Sequence, residues 1–348
     1  MDGSQVTVSV RPFRAGDERR WDQFVRAHAS GTFFHLSGWK RVIERAFGHR
    51  TYYLIAERGP TVTGVMPLTH VKSLIFGSSL ISNAFSVHGG PIAEDTQSLC
   101  KLEVEAVQLM DALAVPVLEM RDFSASRADW SSKKDLYASF RRSLDPSVEH
   151  NLKSIPRKQR AMIRKGMRNK LRSEIDDGVE RLYRVYAESV HNLGTPVFSE
   201  SYFRILREEF STCSDIVTVA CDGHAVASVL NFYFRDEVLP FYGGGVRAAR
   251  GLSANDFMYW EVMRRACERG YRNFDFGRSK IGTGSFAFKR NWGFQPKPLI
   301  YQFRLSPGTP MPNLNPLNPK LRMFIAVWKR LPLAVATRLG PSIVRGIG

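Results

Sequence analysis

Two apolar runs that meet at Asp222-Gly223 constrain this chain more than any other feature. Asp215–Cys221 and Ala225–Phe234 are rich in β-branched and aromatic residues and are separated by a two-residue turn. Asp-Gly between such runs is the signature of a tight hairpin, because both turn positions need positive φ. The spacing therefore predicts two antiparallel strands. Val238–Tyr242 predicts a third strand, ending in Gly243-Gly244-Gly245. Residues 253–269 have helical spacing, with Ser253 as N-cap and Gly270 just past the end. A strand then follows over Arg272–Phe276, and another over Leu299–Leu305. Upstream, Asp176–Asn192 and Glu200–Phe210 read as helices.

The first half has a similar order. Val6–Val10 alternates as a strand, and Asp17–Ala27 and Ser37–Ala46 have helical spacing, the second with Ser37 as N-cap. Tyr52–Glu57 and Val62–Val71 read as paired strands around Arg58-Gly59-Pro60, with Pro67 making the second an edge or bulged strand. Residues 94–113 form an amphipathic helix, and Val115–Arg121 a buried strand. Residues 122–150 are polar and irregular by pattern. Helices, antiparallel strands, a helix and a strand thus occur in both halves. This order fits two similar α/β (α+β) domains with mixed, largely antiparallel sheets, not one doubly wound parallel sheet.

At 348 residues and 43% hydrophobic content, the chain has material for two cores. Cys100, Cys213, Cys221 and Cys267 form no CxxC pair and have no histidine at ligand spacing, so they read as reduced core residues. No metal site is expected. The absence of HExxH and GxSxG removes the sequence support for a zinc hydrolase or a serine hydrolase. There is no apolar leader pattern at the start and no run long enough to span a bilayer, which together give a cytosolic expectation.

The segment 271–294 concentrates the chemistry. Its strand carries Asp275 and runs into a Gly/Ser/Thr-rich stretch holding Arg278, Ser279, Lys280, Gly282, Thr283 and Gly284. A helical turn then presents Lys289 beside Phe288, and Trp292 closes the segment; Phe288 and Trp292 are candidate substrate contacts. A glycine-rich loop feeding a helix start places backbone N–H groups and cations at one point, which suits an anion or an oxyanion formed during acyl transfer. Asp275 is a candidate to orient or deprotonate an amine; the plain alternative is a strand-end carboxylate paired with Arg278. Lys289 is a candidate for oxyanion or phosphate contact; the alternative is an exposed helix lysine. Tyr242, Gly243 and Gly244 would line the substrate groove. His191 is either a substrate contact or a helix-end histidine. Gly282-x-Gly284-x-x-Ala287 lacks the βαβ context of a dinucleotide site, and Thr283 stands where a phosphate loop needs lysine.

The net charge of +17 is uneven. Residues 153–172 hold nine Lys and Arg, including Arg157, Lys158 and Arg160, and no acid. This run reads as a phosphate-binding surface, with a solvated helix face as the alternative. It has no aromatics to stack on bases. Residues 321–348 mix Met323, Phe324, Val327 and Trp328 with Lys329, Arg330 and Arg338, again without an acid. Such a segment either lies in a membrane interface or packs on its own domain.

Ile155–Arg160, His191–Phe198, Leu239–Gly245, Asn255–Trp260, Asp275–Lys280 and Thr283–Phe294 together resemble the FemAB-related proteins of the PEP-CTERM/exosortase system, within the FemABX and BioF2-like acetyltransferase group. The resemblance covers about residues 5–305. It implies tandem GNAT-like domains: 1–122, a basic connecting segment 123–175, 176–306, and a basic amphipathic tail 307–348. It implies acyl or aminoacyl transfer to an amine of an envelope or exopolysaccharide precursor. The donor would be acyl-CoA or aminoacyl-tRNA, with no tightly bound cofactor. The Phe288-Lys289 pair falls where that group carries a Phe-Lys pair whose lysine is linked to catalysis. Where the group bears a diphosphate-binding lysine four residues after a tryptophan, this chain has Ile43 after Trp39, with Lys40 and Arg41 nearby. The partners implied are the acyl donor and a phosphate-bearing precursor, with tRNA and peripheral contact of 321–348 at the inner membrane face as further expectations. A non-catalytic membrane- or polyanion-binding scaffold is the alternative reading.

Overall fold

The computed structural model describes residues 7–73, 76–122, 127, 129–312 and 319–348, with residues 319–322 described by their backbone alone. The strands are β1 (Val8–Pro12), β2 (Arg50–Thr51), β3 (Leu54–Arg58), β4 (Thr61–Met66), β5 (Leu68–Ser73), β6 (Gly77–Ser82), β7 (Ile92–Ala93) and β8 (Val117–Asp122). They continue with β9 (Ser131–Ser143), β10 (Arg172–Asp176), β11 (Ser214–Cys221), β12 (His224–Phe234), β13 (Glu237–Gly245), β14 (Asn273–Lys280) and β15 (Pro296–Leu305). The helices are α1 (Glu18–Ala27), α2 (Gly38–Phe47), α3 (Thr96–Ala112), α4 (Val148–Ser154), α5 (Arg157–Arg168) and α6 (Glu180–Leu193). They end with α7 (Glu200–Glu209), α8 (Ala249–Leu252), α9 (Ala254–Glu268), α10 (Gly284–Asn291), α11 (Pro319–Trp328) and α12 (Leu333–Val344). The chain divides into two compact units. Unit 1 comprises Met1–Lys134, Leu299–Asn313 and Arg345–Gly348; unit 2 comprises Asp135–Pro298 and Leu314–Val344.

In unit 1, β1, β3, β4 and β7 form an antiparallel sheet in that order. β5 runs antiparallel to β2 and β6, β6 runs parallel to β8, and Ile300–Leu305 of β15 runs antiparallel to β8. The single strand expected over Val62–Val71 is therefore two. Pro67 has no N–H to give a ladder, and the chain changes partners there, from β3 to β6. Asp95 caps α3 by accepting the Ser98 N–H at 2.8 Å. Leu102, Ala106 and Met110 of that helix pack against Leu54, Ala56, Met66 and Leu68. Ser37 precedes α2, but its hydroxyl makes no cap.

In unit 2, β10, β11, β12 and β13 follow one another antiparallel, β13 and β14 are parallel, and β14 runs antiparallel to β9. The β11–β12 hairpin closes as expected: Asp222 and Gly223 have φ of 48° and 78°. Val217, Val219, Val229, Val238, Phe140 and Phe274 turn one face of these strands onto Ile163 of α5 and Phe257, Met258 and Val262 of α9. α6 packs on β12 and β13 from the other side.

Four sequence expectations change here. Residues 122–150 contain the long strand β9, hidden because its inward Ala138 and Phe140 sit among Lys133, Lys134, Arg141 and Arg142. The stretch Gly277–Lys280 is strand, not loop, and Gly243–Gly245 lie inside β13. Ser253 stands before α9 with φ 58° and no side-chain cap, while Gly270 takes the left-handed position past its end as expected. Only Cys267 of the four thiols is buried; Cys100 is exposed on α3.

Candidate active site

The parallel pair β13–β14 is short. Glu237 lies opposite Asn273 and Val238 opposite Phe274, and there the pairing stops. Beyond it β13 stays with β12 as far as Gly245, while Arg278–Lys280 of β14 stay with β9. The two neighbours diverge and leave a wedge between their C-terminal halves. Each lip carries a bulge. Leu230 faces Tyr242 and Asn231 faces Pro240, so Phe241 is the extra residue of β13. Asp275 faces Arg141 and Arg278 faces Ser139, so Phe276 and Gly277 oppose Phe140 alone. Gly277 has φ 67°, the left-handed conformation such a bulge requires. Bulges interrupt a ladder, and here they do so on both sides of one opening.

Four charged side chains gather where the strands part. The Asp275 carboxylate accepts the Gly277 N–H at 2.7 Å. Lys289, on α10, turns its ammonium inward: Nζ donates to the carbonyls of Arg278 at 3.0 Å and Gly277 at 3.4 Å. Nζ also lies 5.6 Å and 5.8 Å from the ring centroids of Phe140 and Phe276. Burial pulls the ammonium down to a pKa of about 8; Arg278 adds to this and Asp275 opposes it. Burial raises Asp275, against the Gly277 N–H and the charges of Lys289 and Arg141. Glu237 is raised to about 8 by burial and by Asp275, although Arg141 is ion-paired with it. The site thus holds two carboxyls that resist simultaneous ionisation beside an ammonium close to losing its proton.

The β13 side of the wedge is aromatic. The Tyr242 hydroxyl lies 2.8 Å from that of Tyr202, and the Tyr186, Phe198 and Phe203 rings meet Tyr242 edge-on at 6.0, 5.6 and 5.3 Å. Gly243 and Gly244 serve packing. A Cβ at Gly244 would lie 2.3 Å from Ser189 Oγ on α6, and one at Gly243 would lie 2.7 Å from Val229. On the other lip, Gly282 and Gly284 have open space around them. Thr283 caps α10, accepting the Phe286 N–H at 3.4 Å and donating to Lys280 O at 2.7 Å. Arg278 and Lys280 lie over the Tyr137 ring at 4.7 and 5.5 Å.

Several expected site residues have other duties. Trp292 is 0% exposed and cannot touch a substrate. Its indole N–H donates to Asp256 at 3.0 Å, and Asp256 also accepts from Gln159 of α5 at 3.1 Å, so Trp292 fastens α10 to α9 and α5. Phe288 is half-buried between Tyr259 and Trp292, and Ser279 is buried. His191 Nε2 bonds the Trp328 carbonyl at 3.1 Å, which makes it a buried structural residue. The basic run is mostly the helix α5. Arg157 and Lys158 are exposed on it, Arg160 reaches Lys153 O at 3.2 Å, and none of the three has a hydrogen bond to Lys289 or Asp275 among the described residues. Glu237 and Arg141 were missed by sequence reasoning. Glu237 falls between the strands expected over Ala225–Phe234 and Val238–Tyr242, and Arg141 in the stretch read as irregular.

Among the described residues no three His, Cys, Asp or Glu side chains are placed to hold a metal ion, and no helix is long and apolar enough to cross a membrane. Unit 1 has a cavity of about 190 Å³ lined by His28, His35, His88, Arg121, Asp122 and Arg127 among others. His35 is neutral there: burial lowers it to about 4, and its Nε2 faces Gly90 O at 2.9 Å as a donor.

No curated protein sequence matches the chain. Among solved structures, that of FemX matches with a TM-score of 0.68 at 14% identity, over 84% of this chain and 96% of that one. A tandem GNAT protein of the clavulanic acid biosynthesis pathway matches with a TM-score of 0.55 at 12% identity, over 87% and 100%. The C-terminal domain of a putative lysylphosphatidylglycerol synthetase from Agrobacterium fabrum matches with a TM-score of 0.56 at 16% identity, over 83% and 92%. These likenesses establish the fold, a mixed α/β architecture with mainly antiparallel sheets. Residues 153–290, which contain Glu237, Asp275 and Lys289, match the family described as "Acetyltransferase (GNAT) domain".

Proposed function

We propose that the chain is an acyltransferase that moves an acyl group from a thioester donor to an amine, with the β13–β14 wedge as its site. The observation that carries this reading is the divergence of the two strands after only two residue pairs, with Asp275, Glu237 and Lys289 at the apex. The edge of β13 past Val238, where its pairing with β14 has stopped, suits an extended, amide-bearing donor arm, which adds beside a strand through main-chain hydrogen bonds. The pantetheine arm of acyl-CoA has this chemistry, and the GNAT match supports such a donor over aminoacyl-tRNA.

The reaction asks for position, a proton acceptor and charge stabilisation. The acceptor nitrogen attacks the thioester carbonyl. The C–N bond forms and the C–S bond breaks. The amine proton passes to Asp275, whose carboxyl shares the local charge with Glu237, and the departing thiolate takes up that proton, so that the site ends in its starting protonation state. Two of the three Lys289 N–H donors hold the Gly277 and Arg278 carbonyls, and the third is available to the oxyanion. Arg278, Ser279, Lys280 and the Gly282–Gly284 backbone form the donor or acceptor lip, Tyr242 the opposite one. Ser279 contributes through its backbone. Arg157, Lys158 and Arg160 on α5 supply cations for a phosphate-bearing ligand.

For the acceptor we propose an amine of a phosphate-bearing envelope or exopolysaccharide precursor. The FemAB resemblance, the FemX-like fold and the basic α5 support it. The test is thiol release from acetyl-CoA against a panel of amino sugars and aminated precursors, run beside donor binding by calorimetry. Turnover with a thioester and its loss in Lys289→Ala at unchanged circular dichroism is the expected result. Binding of charged tRNA without any binding of acyl-CoA would overturn the choice of donor. A lack of binding to either donor would leave a scaffold.

A further inference from the structure

Asp275 is the last acidic residue of the sequence; the 73 residues after it contain twelve Lys and Arg. Within them, α11 and α12 belong to unit 2 and have clearly different sides. The inner side is packed. Trp328 is buried with its carbonyl on His191, and Gly194 has no room for a Cβ against Ile325 and Lys329. Ala336, Gly340 and Val344 form one buried stripe on α12, where a Cβ at Gly340 would lie 2.6 Å from the Val197 carbonyl oxygen. The outer side is apolar. Met323 and Val327 are 69% and 57% exposed on α11, Leu339 is 49% exposed on α12, and Leu193 at the end of α6 is 68% exposed. With Phe324 and Val335, these make six of the eleven exposed large apolar side chains among the described residues. Arg330 and Arg338 are exposed on the same two helices or at their ends.

We propose that the outward face of α11 and α12 docks this protein on an anionic lipid bilayer. Met323, Phe324, Val327 and Leu339 enter the acyl boundary while Arg330 and Arg338 meet the headgroup phosphates. The charge pattern selects this occupant. Apolar side chains interleaved only with cations complement a surface that is apolar beneath and negative above. A nucleic acid offers the negative charge but nothing for Met323 and Val327 to enter. Neither helix can span a membrane, so the pair lies along the interface. The inference stands apart from acyl transfer, since Lys289 and Asp275 take no part in it.

The test is co-sedimentation of the full chain with vesicles of phosphatidylcholine alone and with vesicles of equal parts phosphatidylcholine and phosphatidylglycerol. Binding to the anionic vesicles should be at least about tenfold tighter, since each cation near such a surface adds an attraction that neutral lipid lacks. The double substitution Val327→Glu and Leu339→Glu should weaken anionic-vesicle binding by at least about tenfold, while Val327→Leu binds as the unaltered protein does. Circular dichroism and thermal melting confirm that the double variant is folded, both positions being exposed. Lys289→Met should sediment with vesicles like the unaltered protein whatever its activity. Absence of vesicle binding, equal binding to both vesicle types, or unchanged binding of the double glutamate variant overturns the proposal. So does binding to tRNA that is lost in that variant while vesicles never bind.

Discussion

Replacing Lys289 by methionine separates the electrostatic role of this side chain from its bulk, since methionine keeps much of the stem and removes the charge. The folded chain holds this ammonium at a pKa of about 8, against an ordinary 10.5. The difference, 10.5 minus 8, is worth about 3 kcal/mol at roughly 1.36 kcal/mol for each unit. Between these two values the unfolded chain keeps its proton and the folded chain has lost it. The unfolded state binds more protons, so stability rises with pH across this window. Below about pH 8 both states are charged and the burial cost is constant. The unaltered protein should therefore gain about 3 kcal/mol from Lys289 between about pH 8 and about pH 10.5, and Lys289→Met should lack that gain. Urea denaturation of both proteins in a pH series across the window reads it, because groups remote from Lys289 titrate alike in the two and cancel; Asp275, which feels the Lys289 charge, is removed by repeating the pair in an Asp275→Asn background. In thiol-release assays Lys289→Met should lower turnover about 10²–10³-fold, the usual cost of removing one oxyanion donor. A stability difference that stays flat from about pH 7 to about pH 11 would mean the ammonium is solvated. That result, or turnover within a fewfold of the unaltered protein, would refute the argument.

Glu237→Gln should be the more stable protein above about pH 8 by on the order of 2 kcal/mol, because a carboxyl raised on folding loses stability as pH climbs through its folded value. Its rate profile should also lose the limb near pH 8, which a pH series of kcat/KM checks. Gly277→Ala puts a Cβ at φ 67° and should cost about 1–2 kcal/mol in urea denaturation, with kcat falling more than donor affinity. Trp292→Phe removes the donor to Asp256 and leaves a buried carboxylate short of a partner; a loss of about 1–3 kcal/mol is expected by thermal or urea unfolding.

The β11–β12 hairpin, the helices 254–268 and 96–112 and the end signals at Gly270 could be read from the sequence because turn chemistry and helical spacing are local properties. The site could be read only in part. Asp275 and Lys289 lie fourteen residues apart in one segment and were found together. Glu237 and Arg141 reach Asp275 through the pairing of β13 and β9 with β14, and no local pattern encodes such a register. Bulges escaped notice for the same reason. Gly277 reads as a loop glycine until Asp275 and Arg278 are seen paired with residues only two apart on β9. Trp292 was misjudged because an aromatic beside a catalytic candidate looks the same in sequence whether it faces a ligand or a core. β9 was missed because its exposed half is so rich in cations that its two buried apolar residues do not stand out.

The two walls of the opening differ in how freely they can drift. Along Gly243 and Gly244 the strand is pressed so close to Ser189 and Val229 that even a methyl group has nowhere to go, whereas Gly284 faces empty space. One jaw is therefore rigid to mutation and the other adjustable. A change of preferred substrate, whether selected in the laboratory or over generations, should be written mostly into residues 284–286, with the tyrosine side held constant as the anvil against which new shapes are tried.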